Sequence, residues 1–261
     1  MHLSCILGVM TFYLGATLVY LFQRIFSGRN LRQVAFRILL VGFILHTALL
    51  FYYLFQNGYP FFISANYGLH FVSWVMVLLF LLLANRFHLE AIAPLLIPTA
   101  LIFYLISLFE REAYSLTASV LKSPWALVHF LFMFLAIALF LLGFAIGVAF
   151  LLQESRLKGK KSPFPRLPSL EVMDEMHSKA SGVGFILLTI GIASGIGLLH
   201  QVRGIFFSGD SKQWGALVAW FLYLVFLNVR MQAGCRGRRA VLLSLLGLSV
   251  IILTFLGFEH H

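Results

Sequence analysis

Long apolar runs separated by short polar stretches make up almost the whole chain. The runs Phe71 to Ala84 and Phe130 to Leu152 contain no charged residue, and apolar and polar positions do not alternate within them. A transmembrane β-barrel would show such alternation, whereas a helix that crosses a bilayer needs about 20 mostly apolar residues. The pattern therefore predicts an all-α fold, a polytopic integral membrane protein.

About eight of these runs are long enough to cross a bilayer. They lie near residues 3–23, 33–55, 67–85, 90–109, 124–152, 180–203, 213–231 and 239–258. Only a short turn separates the third run from the fourth, but Pro94 and Pro98 support a new helix after it. The first run has no positive segment before it and no clear small-residue cleavage site, so we interpret it as a retained helix rather than a signal peptide.

The composition narrows the class of protein further. Hydrophobic residues make up 61% of the 261 residues and charged residues 11%, against about 25% charged residues in soluble domains. This excludes a soluble domain, a disordered chain, a disulfide scaffold and a secreted enzyme. The net charge of +10 lies in short stretches between the apolar runs, where it sets membrane topology, so we expect no nucleic-acid partner.

The distribution of Lys and Arg predicts the orientation in the membrane. Fifteen of the 19 follow the odd-numbered spans, and only Arg111, Lys122, Arg203 and Lys212 follow even-numbered ones. Because positive charge is enriched on the cytoplasmic side, both termini are expected on the outer, periplasmic side.

The two cysteines are separated by this topology. Cys5 lies near the outer end of span one and Cys235 in a cytoplasmic turn, so they are beyond disulfide reach. The chain contains neither CxxC nor CxxCH, and it therefore has no thiol redox motif and no motif for covalent attachment of a c-type haem.

One connection, 153–179, is long. Its first part is basic and Pro-rich and is interpreted as a cytoplasmic loop. Ser169 can cap a helix that carries Glu171 and Asp174 near its start, and the apolar side of that helix predicts an amphipathic segment on the inner membrane surface; a plain linker is the other reading. We expect the whole chain, 1–261, to form a single transmembrane domain that includes this segment.

Histidine is the most informative ionisable residue, because such groups are costly inside a bilayer. Seven of the nine lie in the middle or outer half of the membrane, whereas His88 and His177 are cytoplasmic. His129 lies about 7–8 Å inside the outer end of span five, and His46 about 13 Å deep in span two. The remaining five, at or near the outer surface, are His2, His70, His200, His260 and His261.

The outer half also carries residues that suit a flat macrocycle. Imidazole can ligate haem iron or relay protons. Trp125 and Trp214 could stack on the ring, and Arg203 and Lys212, which flank Asp210, could pair with propionates.

Structural explanations compete with each of these assignments. Both tryptophans fit an interfacial aromatic belt. His46 and His129 could be packed against neighbouring helices, and His70 and His200 could be solvated helix ends. The terminal histidines could belong to an added tag.

Motifs of soluble enzymes are absent from the sequence. There is no phosphate loop, no HExxH and no nucleophile elbow, and no residue set supplies a nucleophile with a base, so we expect no enzymatic activity. The spans contain almost no acidic residues, which disfavours a carboxylate-driven transporter. Two GxxxG pairs, Gly143 with Gly147 and Gly191 with Gly195, predict close helix contacts.

Several segments occur in the order found in one family of membrane proteins. They are Leu167 to Glu171, Gly184 to Thr189, Ser194-Gly195, Trp220 to Arg230, Arg236 to Ala240 and Thr254 to Gly257, preceded by His46 to Leu49, Tyr67 to Leu83 and Ser123 to His129. In this order they resemble the cytochrome c assembly protein family, which includes CcsA, CcmC and the HemX/YpjD-like proteins. The resemblance covers nearly the whole chain, and the eight spans agree with it.

The resemblance implies haem handling at the outer face of a bacterial cytoplasmic (inner) membrane. In CcsA-type members a Trp-rich external segment holds haem between two histidines, for delivery to apocytochrome c. His129 matches the first of these histidines, His260 is the nearest counterpart of the second, and 204–214 occupies the place of the Trp-rich segment. The other candidate haem contacts are His46, His200, Trp125, Trp214, Arg203, Asp210 and Lys212.

The sequence departs from the CcsA pattern in this external segment. The tryptophans before the Asp-Pro-Lys-Glu-type motif are missing, and Ser211 and Gln213 replace its proline and glutamate. Asn228 stands where CcsA-type members have a transmembrane histidine. In these departures the sequence resembles the HemX/YpjD-like branch of the family.

Three functions follow from these observations. The leading one is a haem-handling membrane protein of cytochrome c biogenesis, with the bilayer and cytochrome c assembly proteins as partners. The second is a cofactor-free regulatory or scaffold protein, HemX-like, with tetrapyrrole-synthesis proteins binding 153–179. The third, a small-solute permease, is disfavoured by the lack of intramembrane carboxylates.

Overall fold

The computed structural model describes residues 2–25, 29–57, 65–87, 89–109, 120, 123–160, 162, 164, 167–232 and 237–257. These residues are almost entirely helical and contain no strand, which confirms the predicted all-α fold. The chain forms two compact units. Unit 1 comprises Met1–Ser115 with Pro165–Leu167, and unit 2 comprises Leu116–Phe164 with Pro168–His261.

Unit 1 contains the first four helices of the described chain. They are α1 (His2–Ile25), α2 (Arg29–Asn57), α3 (Ala65–Phe87) and α4 (Ala93–Phe109), the last preceded by a 3-10 turn, Leu89–Ile92. Helix α1 packs along α2 and also contacts α4, and α3 packs along α4. Gly42 lets α1 and α2 approach closely, since a Cβ there would lie 2.8–3.0 Å from side-chain atoms of Phe12 and Tyr13.

Unit 2 contains the remaining four described helices. They are α5 (Pro124–Lys158), α6 (Leu170–Arg203), α7 (Ser211–Gln232) and α8 (Arg238–Gly257). Helices α5 and α6 form the most extensive helix pair of the described chain; α7 packs on α8, and α8 also contacts α5. This pairing places the long α6 between α5 and α7.

The helices confirm a polytopic membrane protein with spans close to those predicted. Helices α1, α2, α3, α5, α6 and α7 are long and apolar enough to cross a membrane. Helix α4 has 17 residues and α8 has 20. Large apolar side chains on these helices are exposed, such as Ile44 at 58% and Leu253 at 66%, as expected for surfaces that face lipid.

The segment predicted within 153–179 does not form a separate helix. Residues up to Lys158 continue α5, and α6 runs without a break from Leu170 to Arg203. Ser169 does cap this helix as predicted, its Oγ accepting the N–H of Val172 at 3.3 Å. Met173 is buried inside unit 2, because the first turns of α6 pack against its other helices; a position on the inner membrane surface stays a prediction.

Helices α5 and α6 run antiparallel, with glycines facing large side chains, as the GxxxG pairs predict. A Cβ on Gly184 would lie 2.7 Å from the ring of Phe140, and one on Gly191 would lie 2.7 Å from Met133 Sδ. On α5, a Cβ on Gly147 would lie 3.3 Å from the imidazole of His177. The missing side chains therefore allow the two helices to interlock along their length.

Candidate functional site

One end of unit 2 brings together four helix termini. Ser123, at the start of α5, donates a hydrogen bond from Oγ to Gln201 Oε1 in the last turn of α6 at 2.6 Å. Near the start of α7, Gly215 packs against Thr254 in the last turn of α8. The charge-based topology predicts that this end faces outward, so we call it the outer end of unit 2, and the opposite end the inner end.

His129 lies near the outer end and is held by the backbone of α6. Its Nδ1 is 2.7 Å from the carbonyl oxygen of Gly191. A carbonyl can only accept, so Nδ1 carries the proton and Nε2 keeps its lone pair. No described residue is hydrogen-bonded to that Nε2. Metal-ligating histidines are commonly fixed in this way, by a hydrogen bond from the other ring nitrogen.

Trp125 lies one helical turn before His129 on the same face of α5. Its indole packs on Gly197 of α6, where a Cβ would lie 2.9–3.2 Å from three ring atoms. The side chain is nevertheless 48% exposed. Its position fits both a membrane-interface anchor and a ring available to contact a ligand.

Asp210 begins α7 and organises the loop before it. Its Oδ1 accepts the N–H of Gln213 at 2.7 Å, and its Oδ2 accepts Ser208 Oγ–H at 2.6 Å. Gln213 Oε1 in turn accepts the backbone N–H groups of Ser208 and Gly209 at 2.8 and 3.2 Å. The residue that replaces the family's glutamate therefore holds the outer loop by its own hydrogen bonds.

The charge of Asp210 is stabilised by its surroundings. Burial raises the pKa of Asp210, but the hydrogen bonds from Ser208 and the N–H of Gln213, together with the nearby charges of Arg203 and Lys212, lower it by more. The net pKa of Asp210 lies below its ordinary value. The outer end therefore combines a carboxylate with two cations.

Aromatic side chains cover the outer loop. Phe206 is 64% exposed, and its ring stacks on the His200 imidazole with centroids 4.2 Å apart. Phe207 meets Trp214 edge-to-face at 5.2 Å, and Trp214 is 56% exposed. The loop thus presents apolar rings, although it lacks the tryptophans of the CcsA pattern.

The structure brings most of the predicted site residues to this one end. They are Trp125, His129, His200, Arg203, Asp210, Lys212 and Trp214. His260 lies outside the described residues. Within the described chain no group of three His, Cys, Asp or Glu side chains could hold a metal ion, so the arrangement offers single imidazole ligands rather than a multi-ligand cage.

His46 lies elsewhere, in a buried cluster of unit 1. Its Nδ1 is hydrogen-bonded to the hydroxyl of Tyr13 at 2.9 Å, and its Nε2 is 3.4 Å from His70 Nδ1. The ring of Tyr104 packs edge-on against both imidazoles. These contacts correspond to the packing role that the sequence analysis leaves open for His46.

The interpretation of His70 as a solvated helix end is wrong. His70 is 2% exposed, although it lies in the second turn of α3. Its face of α3 turns toward Tyr53 of α2 and Tyr104 of α4. Position along a helix gives depth, but burial depends on which face meets a neighbouring helix.

An ion pair that the sequence analysis missed joins three elements at the inner end. Arg230 on α7 donates to both carboxylate oxygens of Asp174 on α6, at 3.0 and 2.8 Å. The N–H of Gly237, just before α8, donates to Asp174 Oδ1 at 3.0 Å. Both side chains are largely buried, with 10% of Asp174 and 15% of Arg230 exposed. The signal for this ion pair in the sequence was one acidic residue, Asp174, shortly before the predicted span 180–203.

His177 lies one turn further along α6 and is fully buried. Its Nε2 is 2.7 Å from Ser244 Oγ on α8, and its Nδ1 has no hydrogen-bond partner among the described residues. The imidazole is therefore enclosed between α5, α6 and α8, and the cytoplasmic side predicted for His177 stays a prediction.

A cleft of about 650 Å³ opens beside the ion pair. It is lined by Phe150, Leu170, Glu171, Asp174, Glu175, Arg230 and Gly237. Its walls combine apolar side chains with acidic ones and a single arginine, which suits a peptide or protein surface better than a purely apolar ligand.

Comparison with known proteins gives a consistent result. A family profile described as "Cytochrome C assembly protein" matches residues 63–260. Proteins named "Cytochrome c biogenesis protein CcsA" are similar over most of the chain. That of Mesostigma viride is 26% identical over 269 residues, covering 92% of this chain and 88% of the relative. That of Prochlorococcus marinus (strain MIT 9215) is 25% identical over 279 residues, covering 97% and 90%.

Another relative of the same name aligns over a shorter stretch. The Chlamydomonas reinhardtii protein is 26% identical over 197 residues, which cover 73% of this chain and 55% of the relative. This chain therefore spans about half the length of that protein. None of these names bears on the HemX/YpjD-like assignment, which stays a prediction.

Proposed function

Because the chain belongs to the cytochrome c assembly protein family, we propose that it binds or presents haem at the outer end of unit 2 for cytochrome c biogenesis. The relatives support a role in that process through their names. Haem is the cargo in this proposal, and the chain's residues supply binding and orientation rather than catalysis. A bacterial inner membrane is the proposed location, supported by the Prochlorococcus marinus relative.

The single observation that carries the proposal is the hydrogen bond of His129. Nδ1–H donates to Gly191 O at 2.7 Å, so the unprotonated Nε2 keeps a lone pair that can bind iron. A histidine that merely filled space between helices would need no such tautomer, and a helix carbonyl already has its own N–H partner. The residues present therefore fit an axial imidazole ligand.

The surrounding side chains suit the rest of a haem molecule. Haem supplies an iron atom with axial coordination sites and two anionic propionates. Trp125, Phe206 and Trp214 present partly exposed rings that can contact its flat face, and the guanidinium of Arg203 can pair with a propionate. A second axial ligand is assigned to His260 by the family resemblance alone.

The first test is a haem titration of the purified protein in detergent. Absorption spectra, oxidised and dithionite-reduced, should show a Soret band and sharp reduced α and β bands in the wild type. His129→Ala should lose these bands, because the imidazole that ligates iron is gone. Val128→Ala, a neighbouring position on α5, is the matched control and should behave as wild type. A Soret band of equal intensity in His129→Ala would show that His129 does not ligate the iron.

A second candidate function, binding of a partner protein at the inner end, has one observation in its favour. The cleft beside Asp174 and Arg230 has acidic residues on its rim, and Glu171 is exposed there. Deleting the segment would remove the start of α6, so a point change is the sharper test. Glu171→Lys should abolish co-purification of a cytoplasmic partner that Ser155→Lys, at an exposed position on α5, leaves bound. Unchanged co-purification would count against this role.

A further inference from the structure

The imidazoles of His46, His129 and His177, three of the buried or half-buried ones in the described residues, lie in distinct settings. His46 and His177 have hydrogen-bond partners that are side chains, Tyr13 and Ser244. His129 alone of these three is hydrogen-bonded to a main-chain carbonyl, that of Gly191. A main-chain acceptor cannot rotate away or change its protonation state, so it fixes the tautomer of the ring more firmly than a hydroxyl does.

The carbonyl is reachable because α6 lacks a side chain at the next turn. A Cβ on Gly195 would lie 2.7 Å from His129 Nδ1 and 2.8 Å from His129 Cε1. Real Cβ atoms do not approach other atoms so closely, so any side chain at 195 would displace the ring. Gly195 therefore provides the space in which the imidazole lies flat on α6.

The same carbonyl also lies within hydrogen-bond distance of a hydroxyl. The single proton of Ser194 Oγ is shared between Gly191 O at 2.9 Å and Ile190 O at 2.7 Å. Ser194 is 2% exposed, so this hydroxyl is part of the enclosed surface under the imidazole. The carbonyl, the serine and the glycine together form a seat that we call the α6 seat, defined by Gly191, Ser194 and Gly195.

We propose that the α6 seat is the positioning device of the haem site, with Gly195 as the residue that decides whether His129 presents Nε2. Gly195 touches no ligand and acts only through His129. The inference rests on the proposed function for its ligand, but its structural content is independent of haem. It predicts that a single methyl group at 195 changes the tautomer and orientation of His129.

The test variant is Gly195→Ala, and the chain offers two matched controls on the same helix. Gly184→Ala creates an equally close contact, 2.7 Å from the Phe140 ring, at the same α5–α6 interface but away from His129. Gly182→Ala meets only Leu227 at an ordinary 3.9 Å. The first controls for separation of the helices, and the second for the change in helix propensity.

Two readouts separate the seat from the haem proposal. Nitrogen-15 NMR of histidine-labelled, haem-free protein reports the tautomer, with the His129 signals assigned by their loss in His129→Gln. The wild type and both controls should show protonated Nδ1 and unprotonated Nε2, and Gly195→Ala should show a mixture. Haem titration should show affinity lowered by about tenfold or more in Gly195→Ala, as for changes that remove support from a metal-ligating histidine.

Each outcome decides one question. An unchanged tautomer in Gly195→Ala, or the same tautomer loss in Gly184→Ala, would overturn the seat. A wild type that binds no haem, together with tautomer loss confined to Gly195→Ala, would remove the proposed function and leave the seat standing. Tautomer loss and affinity loss confined to Gly195→Ala support both.

Discussion

Asp210 shows how much one side chain can organise at the outer end. It ends the loop, caps α7 and accepts hydrogen bonds from Ser208 and from the N–H of Gln213. A capping carboxylate also interacts favourably with the positive end of the helix dipole. The order of the aromatic loop therefore depends on the ionised form of this residue.

The pH dependence of this cap has a definite sign. The pKa of Asp210 in the folded protein lies below its ordinary value of 3.8, so its stabilising effect is present above that value and is lost as the pH falls below it. Asp210→Ala should cost about 1 kcal/mol at neutral pH, and the difference from wild type should shrink under acid conditions. Thermal unfolding in detergent across a pH series measures it.

Asp210→Asn is the control for this prediction. Its amide oxygen can still cap the helix, so stability at neutral pH should stay closer to wild type, while the acid dependence contributed by residue 210 should vanish. An Asp210→Ala deficit that persists unchanged down to the most acid sample would contradict an ionised cap.

At the residue scale the sequence predicts which side chains are chemically interesting but not their partners. His129 was found by its depth in a span and by the family pattern. Its acceptor, the carbonyl of Gly191, leaves no trace in residue type, because every residue has a carbonyl. His70 was misplaced for a related reason: membrane helices are apolar on all faces, so the buried face cannot be identified from periodicity.

Among the helices, α6 is the element to which most features of unit 2 attach. It carries the α6 seat near one end and Asp174 near the other, and it contacts both α5 and α7. The ion pair between Asp174 and Arg230 joins α6 to α7, and the hydrogen bond from Gly237 joins it to the start of α8. At the inner end, the carboxylate of Asp174 therefore accepts three hydrogen bonds, two from Arg230 on α7 and one from the N–H of Gly237 before α8.

Breaking this ion pair should destabilise unit 2 strongly. Arg230→Gln removes the counter-charge of the largely buried Asp174, and we expect a loss of about 3 kcal/mol, the lower end of the range for buried pairs. The double variant Asp174→Asn with Arg230→Gln should lose less than the single one, because no buried charge is left alone. A double-mutant cycle measured by unfolding in detergent checks this.

A matched comparison on the same helix is the exposed pair Lys179–Glu175, 2.6 Å apart with side chains 73% and 60% exposed. Lys179→Gln should leave the free energy of unfolding close to that of the wild type, because the pair is exposed to solvent. An equal loss in the free energy of unfolding for both pairs would refute the role of Asp174 in joining α6 to α7 and α8.

Element boundaries were the easiest feature to predict, and their exception is instructive. Apolar runs and prolines located the ends of the helices to within a few residues. The Ser169 cap predicts the start of α6, but the continuity of this helix with the span at 180–203 was missed, because Glu171 and Asp174 are polar enough to suggest a surface helix. Only the arginine contributed by α7 makes it possible to bury Asp174 there, and such pairing is not visible in a local sequence window.

At the scale of the whole molecule, the functional assignment depends on orientation. The excess of Lys and Arg after the odd-numbered spans, fifteen of 19, predicts that His129 lies toward the outer face. The helices themselves do not specify which face of the membrane is which. Orientation therefore has to be measured in the membrane.

Two matched serine-to-cysteine changes in a protein freed of Cys5 and Cys235 measure it. Ser211→Cys is exposed at the outer end of unit 2, and Ser162→Cys is exposed in the connection between α5 and α6. A membrane-impermeant maleimide should label Ser211→Cys in intact cells and Ser162→Cys only after lysis. The reverse labelling pattern would show that the site lies on the cytoplasmic side, which excludes haem presentation at the outer face.

The interlocking of α5 with α6 also restricts how the length of this chain can change. Inserting one residue between His129 and Met133 would rotate the rest of α5 by about 100°, so Met133 and Phe140 would no longer meet Gly191 and Gly184. Deletions would act in the same way. Insertions and deletions should therefore be tolerated in the connection between α5 and α6, and every functional variant of unit 2 should keep the spacing within these two helices.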